Sequence, residues 1–341
     1  CGGAPARPRE RDRSMTPALI TDFVIVIGGA LLILGIAEIV IRLTLRLARH
    51  YGLSGSFVGL TILSVGTSLF EITTHVVGSV RILREPASMN ALSGLLLGSN
   101  IGSDIFQQNF VLPMVGLIGA VAIARRNLLK EVGMLIAASA LLWLACLGGA
   151  VTRLEGALLV GAYIAYLVYL GRRQSADAPI TRERLAPSRT PMVIGLIVLC
   201  FAGMAAIADP VLGAAQRLVA HLPMSASLFG VLVLGVCAAL PELTTALVSM
   251  RKGQRDVSAG ILIGSNITNP LFGAGLGALI SGYTVPGVIV GYDLPVKILT
   301  GALLFVFLWR GRNLSRIQAF VLLASYFAYA LLRGFFFPVD F

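Results

Sequence analysis

Long apolar stretches alternate with short polar clusters along the whole chain. Ten stretches can be delimited, at Leu19–Ile41, Ser56–Val80, Met89–Ala124, Leu129–Ala150, Leu154–Leu170, Pro191–Val219, Ala226–Met250, Val257–Gly282, Leu294–Trp309 and Ile317–Phe336. A bilayer-spanning helix needs roughly 20 predominantly apolar residues, so the pattern predicts an all-α membrane protein with ten transmembrane helices. Met89–Ala124 exceeds one crossing and is expected to be broken. The most polar internal segment, Arg172 to Arg189, contains Pro179 and Pro187 and splits the stretches five and five.

The two halves repeat one another. An offset of 171 residues aligns Gly66-Thr67-Ser68-Leu69-Phe70-Glu71-Ile72-Thr73-Thr74 with Cys237-Ala238-Ala239-Leu240-Pro241-Glu242-Leu243-Thr244-Thr245. An offset of 166 aligns Leu97-Gly98-Ser99-Asn100-Ile101 with Ile263-Gly264-Ser265-Asn266-Ile267. Both matches fall in the second and third stretches of their halves. Five crossings per half is an odd number, so the second half enters the membrane from the opposite side. The predicted architecture is two inverted five-helix repeats, the arrangement that secondary transporters build around a midplane site. The domain reading is a leader at 1–14, a first repeat at 15–172, a cytoplasmic linker at 173–189 and a second repeat at 190–341.

Composition narrows the function classes. The 341 residues are 57% hydrophobic and 13% charged, with a mean hydropathy of +0.88. Soluble domains carry about 25% charged residues, so a separate soluble catalytic domain is excluded. The formal net charge of +11 is a topology signal and not a nucleic-acid footprint, because Arg and Lys sit in clusters between apolar runs. Seventeen of the 27 basic residues fall in odd-numbered loops, whereas Arg81, Arg84, Arg153, Arg217, Lys297 and Arg333 fall in even ones or the tail. By the positive-inside rule the odd loops are cytoplasmic and the N-terminus is outside. The implied location is a bacterial inner (plasma) membrane. The leader Cys1–Ser14, with four Arg ahead of Met15, conflicts with that orientation and is read as non-native or disordered. Cys146, Cys200 and Cys237 lie inside apolar runs without metal-type spacing. No His-Glu-x-x-His or other nucleophile–base signature is found, so an intramembrane hydrolase is disfavoured and no cofactor is expected.

Glu71 and Glu242 stand mid-way along hydrophobic stretches, where an acidic side chain costs roughly 2.5–3.5 kcal/mol on insertion scales. The sequence offers no basic residue at matching depth, which predicts a bound cation or proton as their partner. Inverted symmetry brings both carboxylates to the repeat interface, and hydroxyl, amide and backbone oxygens around them suit Ca²⁺, which takes six to eight oxygens. Thr67 and Ser68 lie one helical turn before Glu71. Pro241 lacks an N–H and is expected to free the carbonyl of Cys237. Gly98-Ser99-Asn100 and Gly264-Ser265-Asn266 predict helix breaks, the alternative being close helix packing at the glycines.

These paired motifs resemble the two alpha repeats of the calcium/cation antiporter superfamily, closest to the prokaryotic sodium/calcium exchangers. The resemblance covers nearly the whole chain. It implies that Glu71 and Glu242 are the central Ca²⁺ ligands, that Thr67 and Ser68 add oxygens beside Glu71, and that Ser99 and Ser265 ligate Na⁺. It also places Ser103 and Asn269 at the polar position four residues further on, and implies that the first and sixth helices slide against the repeat core. Expected partners are Ca²⁺, Na⁺ or H⁺ and the lipid bilayer, with the oligomeric state open between monomer and higher forms.

Three departures from that pattern bear on coupling. Ala238-Ala239 deletes two hydroxyls from the second repeat, Phe70 replaces a proline, and Ser103-Asp104 replaces an Asn-containing turn. Loss of neutral oxygens moves the balance from Na⁺ towards H⁺ coupling, and a transport-inactive Ca²⁺-binding membrane protein is a third reading. Asp104 is either a third site carboxylate or a carboxyl facing water at a helix break. His75, one turn after Glu71, is either a proton relay or a hydrogen-bonded packing residue. Glu38 and Asp209 are either gates or solvated interfacial groups, and Asp293 and Lys297, four apart, are expected to pair along one helix.

Overall fold

The computed structural model describes residues 9–51, 64–118, 125–173, 189–251, 255–310 and 314–340. Residues 1–8 of the leader, the start of the Ser56–Val80 stretch and residues 174–188 of the linker lie outside them. Nearly every described residue is helical, and the one sheet pairs Ala150–Val151 antiparallel with Tyr283–Thr284.

The helices differ in length and in what their side chains face. Six described helices are long and apolar enough to cross a bilayer: Pro17–Thr44, Arg153–Arg172, Thr190–His221, Ala226–Val248, Ile289–Arg310 and Arg316–Phe336. Several of these present large apolar side chains outward, such as Leu31, Leu32, Leu158, Val198, Leu199 and Phe320, the face a lipid-exposed helix requires. Ala226–Val248 is itself interrupted at Ala239, and the other apolar stretches are shorter. They run through Leu69–Arg84, Met89–Phe106, Arg125–Cys146 and Arg255–Thr268. In Met89–Phe106 every residue from Leu92 to Phe106 is buried, so its Ser, Asn and Asp side chains meet protein and not lipid.

Contacts between the halves are reciprocal. Arg9–Tyr51 lies along Arg189–His221, and Arg125–Cys146 lies along Leu294–Arg310. Met89–Phe106 packs on the segment from Ala226 to Ala238; its counterpart Arg255–Thr268 packs on Ser64–Thr67, with Gly275–Ser281 continuing along Leu69–Arg84. Leu112–Ile118 meets Arg316–Phe336, and Gly275–Ser281 meets Arg153–Arg173.

Helix irregularities differ from the expected positions. Met89–Phe106 and Arg255–Thr268 pass through Gly98-Ser99-Asn100 and Gly264-Ser265-Asn266 as unbroken α-helix. The interruptions come later, as π-helical segments at Gln107–Val111 and Asn269–Ala274. Gly98 serves close packing: a Cβ there would collide with the backbone carbonyl of Ser227. The breaks occur instead beside the glutamates. The helix stops at Ser68 (φ −81°, ψ 11°) and again at Ala239 (φ −82°, ψ −1°), positions related by the 171-residue offset. The first break forms with Phe70 where the second has Pro241, so proline is not what imposes it.

The expected Asp293–Lys297 pair is not formed. Asp293 pairs with Arg333 at 3.1 Å, and Lys297 pairs with Asp104 from the other half. All four side chains are fully buried. Lys297 and Arg333 therefore do not belong among loop charges, which thins the basic residues at the face assigned to the outside.

Candidate functional site

Each site glutamate owes its position to a helix break. Glu71 occupies the first turn of Leu69–Arg84, and Glu242 the first turn of Leu240–Arg251. A helix start presents unpaired N–H groups and the positive end of the macrodipole, which favours a carboxylate there. Both glutamates are buried, at 1% and 0% exposure. Among the described residues no ion pair reaches either one.

Side chains from both halves converge on each carboxylate. Ser103 donates to Glu71 Oε1 at 2.8 Å, and the Asn269 amide reaches the same oxygen at 3.4 Å. Ser265 donates to Glu242 Oε1 at 3.3 Å, and the Ser265 and Thr67 hydroxyls lie 3.3 Å apart. The remaining oxygens have no donor: Glu71 Oε2, Glu242 Oε2, Ser68 Oγ, Ser99 Oγ, Asn266 Oδ1 and Asn269 Oδ1 are all buried without a hydrogen-bond partner. Buried polar atoms are ordinarily satisfied. Two buried carboxylates, each with one oxygen lacking a donor, have the chemistry of a hard-cation site.

Of the sequence candidates, Glu71, Ser103, Asn269 and Asp104 are joined by direct hydrogen bonds, and Glu242, Ser265 and Thr67 form the matching group. Ser68 and Ser99 are buried with unmatched hydroxyls, and no direct bond ties them to a glutamate. Asp104 does not face water: it is fully buried, accepts from Asn269 at 2.8 Å and is paired with Lys297. Lys297 is thus a basic residue at the depth of the site, contrary to the expectation that none is available there. It is a lone charge inside the apolar run Leu294–Trp309, and that isolation was the signal for an internal partner.

His75 is held from both ring nitrogens. The Asn100 amide reaches Nε2 at 3.2 Å, and Nδ1 lies 2.9 Å from the Tyr283 hydroxyl. The amide NH2 can only donate, so Nε2 accepts, Nδ1–H donates to Tyr283, and the Tyr283 hydroxyl donates to Ser79 at 2.8 Å, which donates to the Gly277 carbonyl at 3.0 Å. The chain of donors is closed, which is the packing role. Asn100 also donates to the Asn269 carbonyl at 2.9 Å, and Asn266 to Gln107 Oε1 at 3.2 Å. Gln107 was not singled out in the sequence, although it lies one turn after Ser103, to which it donates at 3.0 Å. Glu38 pairs with Arg42 at 2.8 Å and Asp209 with Arg81 at 3.6 Å, both on exposed or half-exposed side chains.

The family model described as "Sodium/calcium exchanger protein" matches residues 21–172 and 192–335. The candidate antiporter CaxA of Alkalimonas amylolytica is 28% identical over 324 residues, covering 92% of this chain and 99% of its own. The inner membrane protein YrbG of Escherichia coli K12 is 26% identical, covering 84% of this chain and 88% of its own. A solved structure of the sodium-calcium exchanger NCX_Mj, soaked with 10 mM Na⁺ and zero Ca²⁺, superposes with a TM-score of 0.61 at 22% identity, covering 91% of this chain and 98% of that one. That likeness concerns the fold.

Proposed function

Because the chain belongs to the sodium/calcium exchanger protein family, we propose that it is a secondary-active antiporter that exports Ca²⁺ in exchange for Na⁺, by alternating access at a site between Glu71 and Glu242. In this reading the chain crosses the membrane ten times as two inverted repeats. The observation that carries it is the pair of buried glutamates at matched helix breaks, each with one oxygen held by a hydroxyl and one oxygen free of any donor. Reciprocal packing of the halves supports the two-fold relation.

Exchange follows from the charge of that site. Two ionised carboxylates enclosed in a low-dielectric core are costly without a counter-ion, so the switch between inward and outward access needs Ca²⁺ or its substitutes bound. Moving Ca²⁺ outward against 100 mV takes about 4.6 kcal/mol before any concentration gradient; inward movement of a monovalent cation supplies it. The long helices Arg9–Tyr51 and Arg189–His221 pack side by side as a pair and fit the role of the element that slides.

One observation favours a second reading, H⁺ coupling. Ala238 and Ala239, both fully buried, stand where the first repeat has Thr67 and Ser68. Hydroxyl oxygens suited to Na⁺ are therefore missing from one side.

The test is ⁴⁵Ca²⁺ uptake by proteoliposomes under a Na⁺ gradient and, separately, a pH gradient. Na⁺-driven uptake is expected, reduced about tenfold or more by Glu71→Gln or by Glu242→Gln. Unchanged uptake in the variants overturns the site, and uptake driven only by pH selects the second reading. Ca²⁺ binding without flux marks a transport-inactive protein.

A further inference from the structure

Asp104 and Lys297 form an ion pair with no mirror in the other half. At the 166-residue offset Asp104 corresponds to Pro270. Both side chains of the pair are fully buried, and the Lys297 ammonium contacts one Asp104 oxygen directly. The other Asp104 oxygen accepts from the Asn269 amide at 2.8 Å, and that same nitrogen lies 3.4 Å from Glu71 Oε1. A single amide group thus separates the Lys297 ammonium and its carboxylate from the candidate ion site.

We propose that Lys297 is a tethered cation: its ammonium fills, at Asp104, the place that a transported monovalent ion would otherwise take. The inference rests on the antiporter reading and specifies how many ions the site accepts. Three buried carboxylates, Glu71, Glu242 and Asp104, would demand three positive charges in a low-dielectric enclosure. Lys297 supplies one that never leaves. The remaining two are matched by one Ca²⁺ or by two monovalent ions.

The geometry gives the ammonium an anchored stem. The Lys297 carbonyl accepts from the Gln108 amide at 3.2 Å, and Gln108 and Asn109 both donate to Thr300, one turn along, at 2.7 Å and 3.0 Å. These bonds join the helix Leu294–Arg310 to the π-helical segment that follows Asp104, so the charge is fixed relative to its carboxylate. Asn269 Oδ1 is buried without a donor. Removing the ammonium leaves the Asp104 carboxylate buried and uncompensated, beside oxygens suited to Na⁺.

The experiment counts ²²Na⁺ bound per chain by purified, full-length protein in detergent, for wild type, Lys297→Met and Asp104→Asn/Lys297→Met. Lys297→Met is expected to bind one more Na⁺ than wild type, and its Hill coefficient for Na⁺ displacement of ⁴⁵Ca²⁺ rises by about one. The double variant returns to the wild-type Na⁺ count. A purely structural pair would change folded yield and leave the count alone, so an unchanged count in Lys297→Met overturns the proposal. If Lys297→Met does not fold, Asp104→Asn carries the test. There the unpaired ammonium faces the Glu71 side and lowers Ca²⁺ affinity tenfold or more, and wild-type affinity would overturn the proposal. Absence of ⁴⁵Ca²⁺ exchange in the wild-type chain would instead defeat the antiporter reading, while the Na⁺ count still decides the role of Lys297.

Discussion

The Thr67 hydroxyl lies 3.3 Å from the Ser265 hydroxyl, although 198 residues separate them in the chain. Ser265 in turn donates to Glu242 at 3.3 Å. One half of the protein thereby reaches, through two short side chains, the carboxylate that belongs to the other. The position equivalent to Thr67 is Ala238, so no reciprocal hydroxyl reaches across towards Glu71; Asn269 does so instead at 3.4 Å.

That asymmetry gives a pair of substitutions with opposite signs. Thr67→Ala removes a ligand-sized oxygen and a hydrogen bond worth about 0.5–1.5 kcal/mol, so the concentration of Ca²⁺ for half-maximal uptake should rise about three- to tenfold. Ala239→Ser adds a hydroxyl at the matching break and should steepen the dependence of uptake on Na⁺. Dose–response curves of ⁴⁵Ca²⁺ flux check both, and a Thr67→Ala curve that overlays the wild type would remove Thr67 from the site.

His75 should act on stability and not on pH dependence. Its two ring nitrogens satisfy Asn100 and Tyr283, so His75→Ala strands two buried polar groups at about 1–3 kcal/mol each. A lowered melting temperature in detergent is the expected outcome, with the pH profile of transport preserved in the surviving protein. A profile shifted along the pH axis would restore the relay reading.

Close packing at Gly98 sets a third expectation. Gly98→Val places a Cβ into the Ser227 carbonyl, backbone against backbone, where neither side can yield. Overpacking of this kind costs about 1–3 kcal/mol or more, and the folded yield should drop steeply. Gly133→Ala is the control, since a Cβ there meets nothing within 4 Å. Equal yields for the two variants would refute the packing role.

What the sequence revealed and what it hid have different physical origins. Glu71 and Glu242 were legible because a carboxylate in an apolar stretch is conspicuous by itself, and because the motif around each repeats at a fixed offset. The family followed from the same local strings. The partners of Lys297, Asp104, Asp293 and Arg333 were not legible. Each lies across a helix interface, 193 residues away for Lys297 and 40 for Arg333, whereas spacing along one helix pointed to the wrong i,i+4 pair. Helix breaks were misplaced for a related reason. Glycine in a membrane helix signals flexibility and close approach equally, and only the neighbouring helix, with the Ser227 carbonyl against Gly98, decides between them.

The two-stranded ribbon does more than join two turns. Tyr283 pairs through its backbone with Val151, while its hydroxyl sits between His75 and Ser79. His75 is bonded to Asn100, and Asn100 to the carbonyl of Asn269, whose side chain touches Glu71. A continuous series of contacts therefore joins an exposed turn at Gly148–Gly149 to the Glu71 carboxylate. The turn and the candidate site thus belong to one hydrogen-bonded network, although more than 75 residues separate Gly149 from Glu71 in the chain.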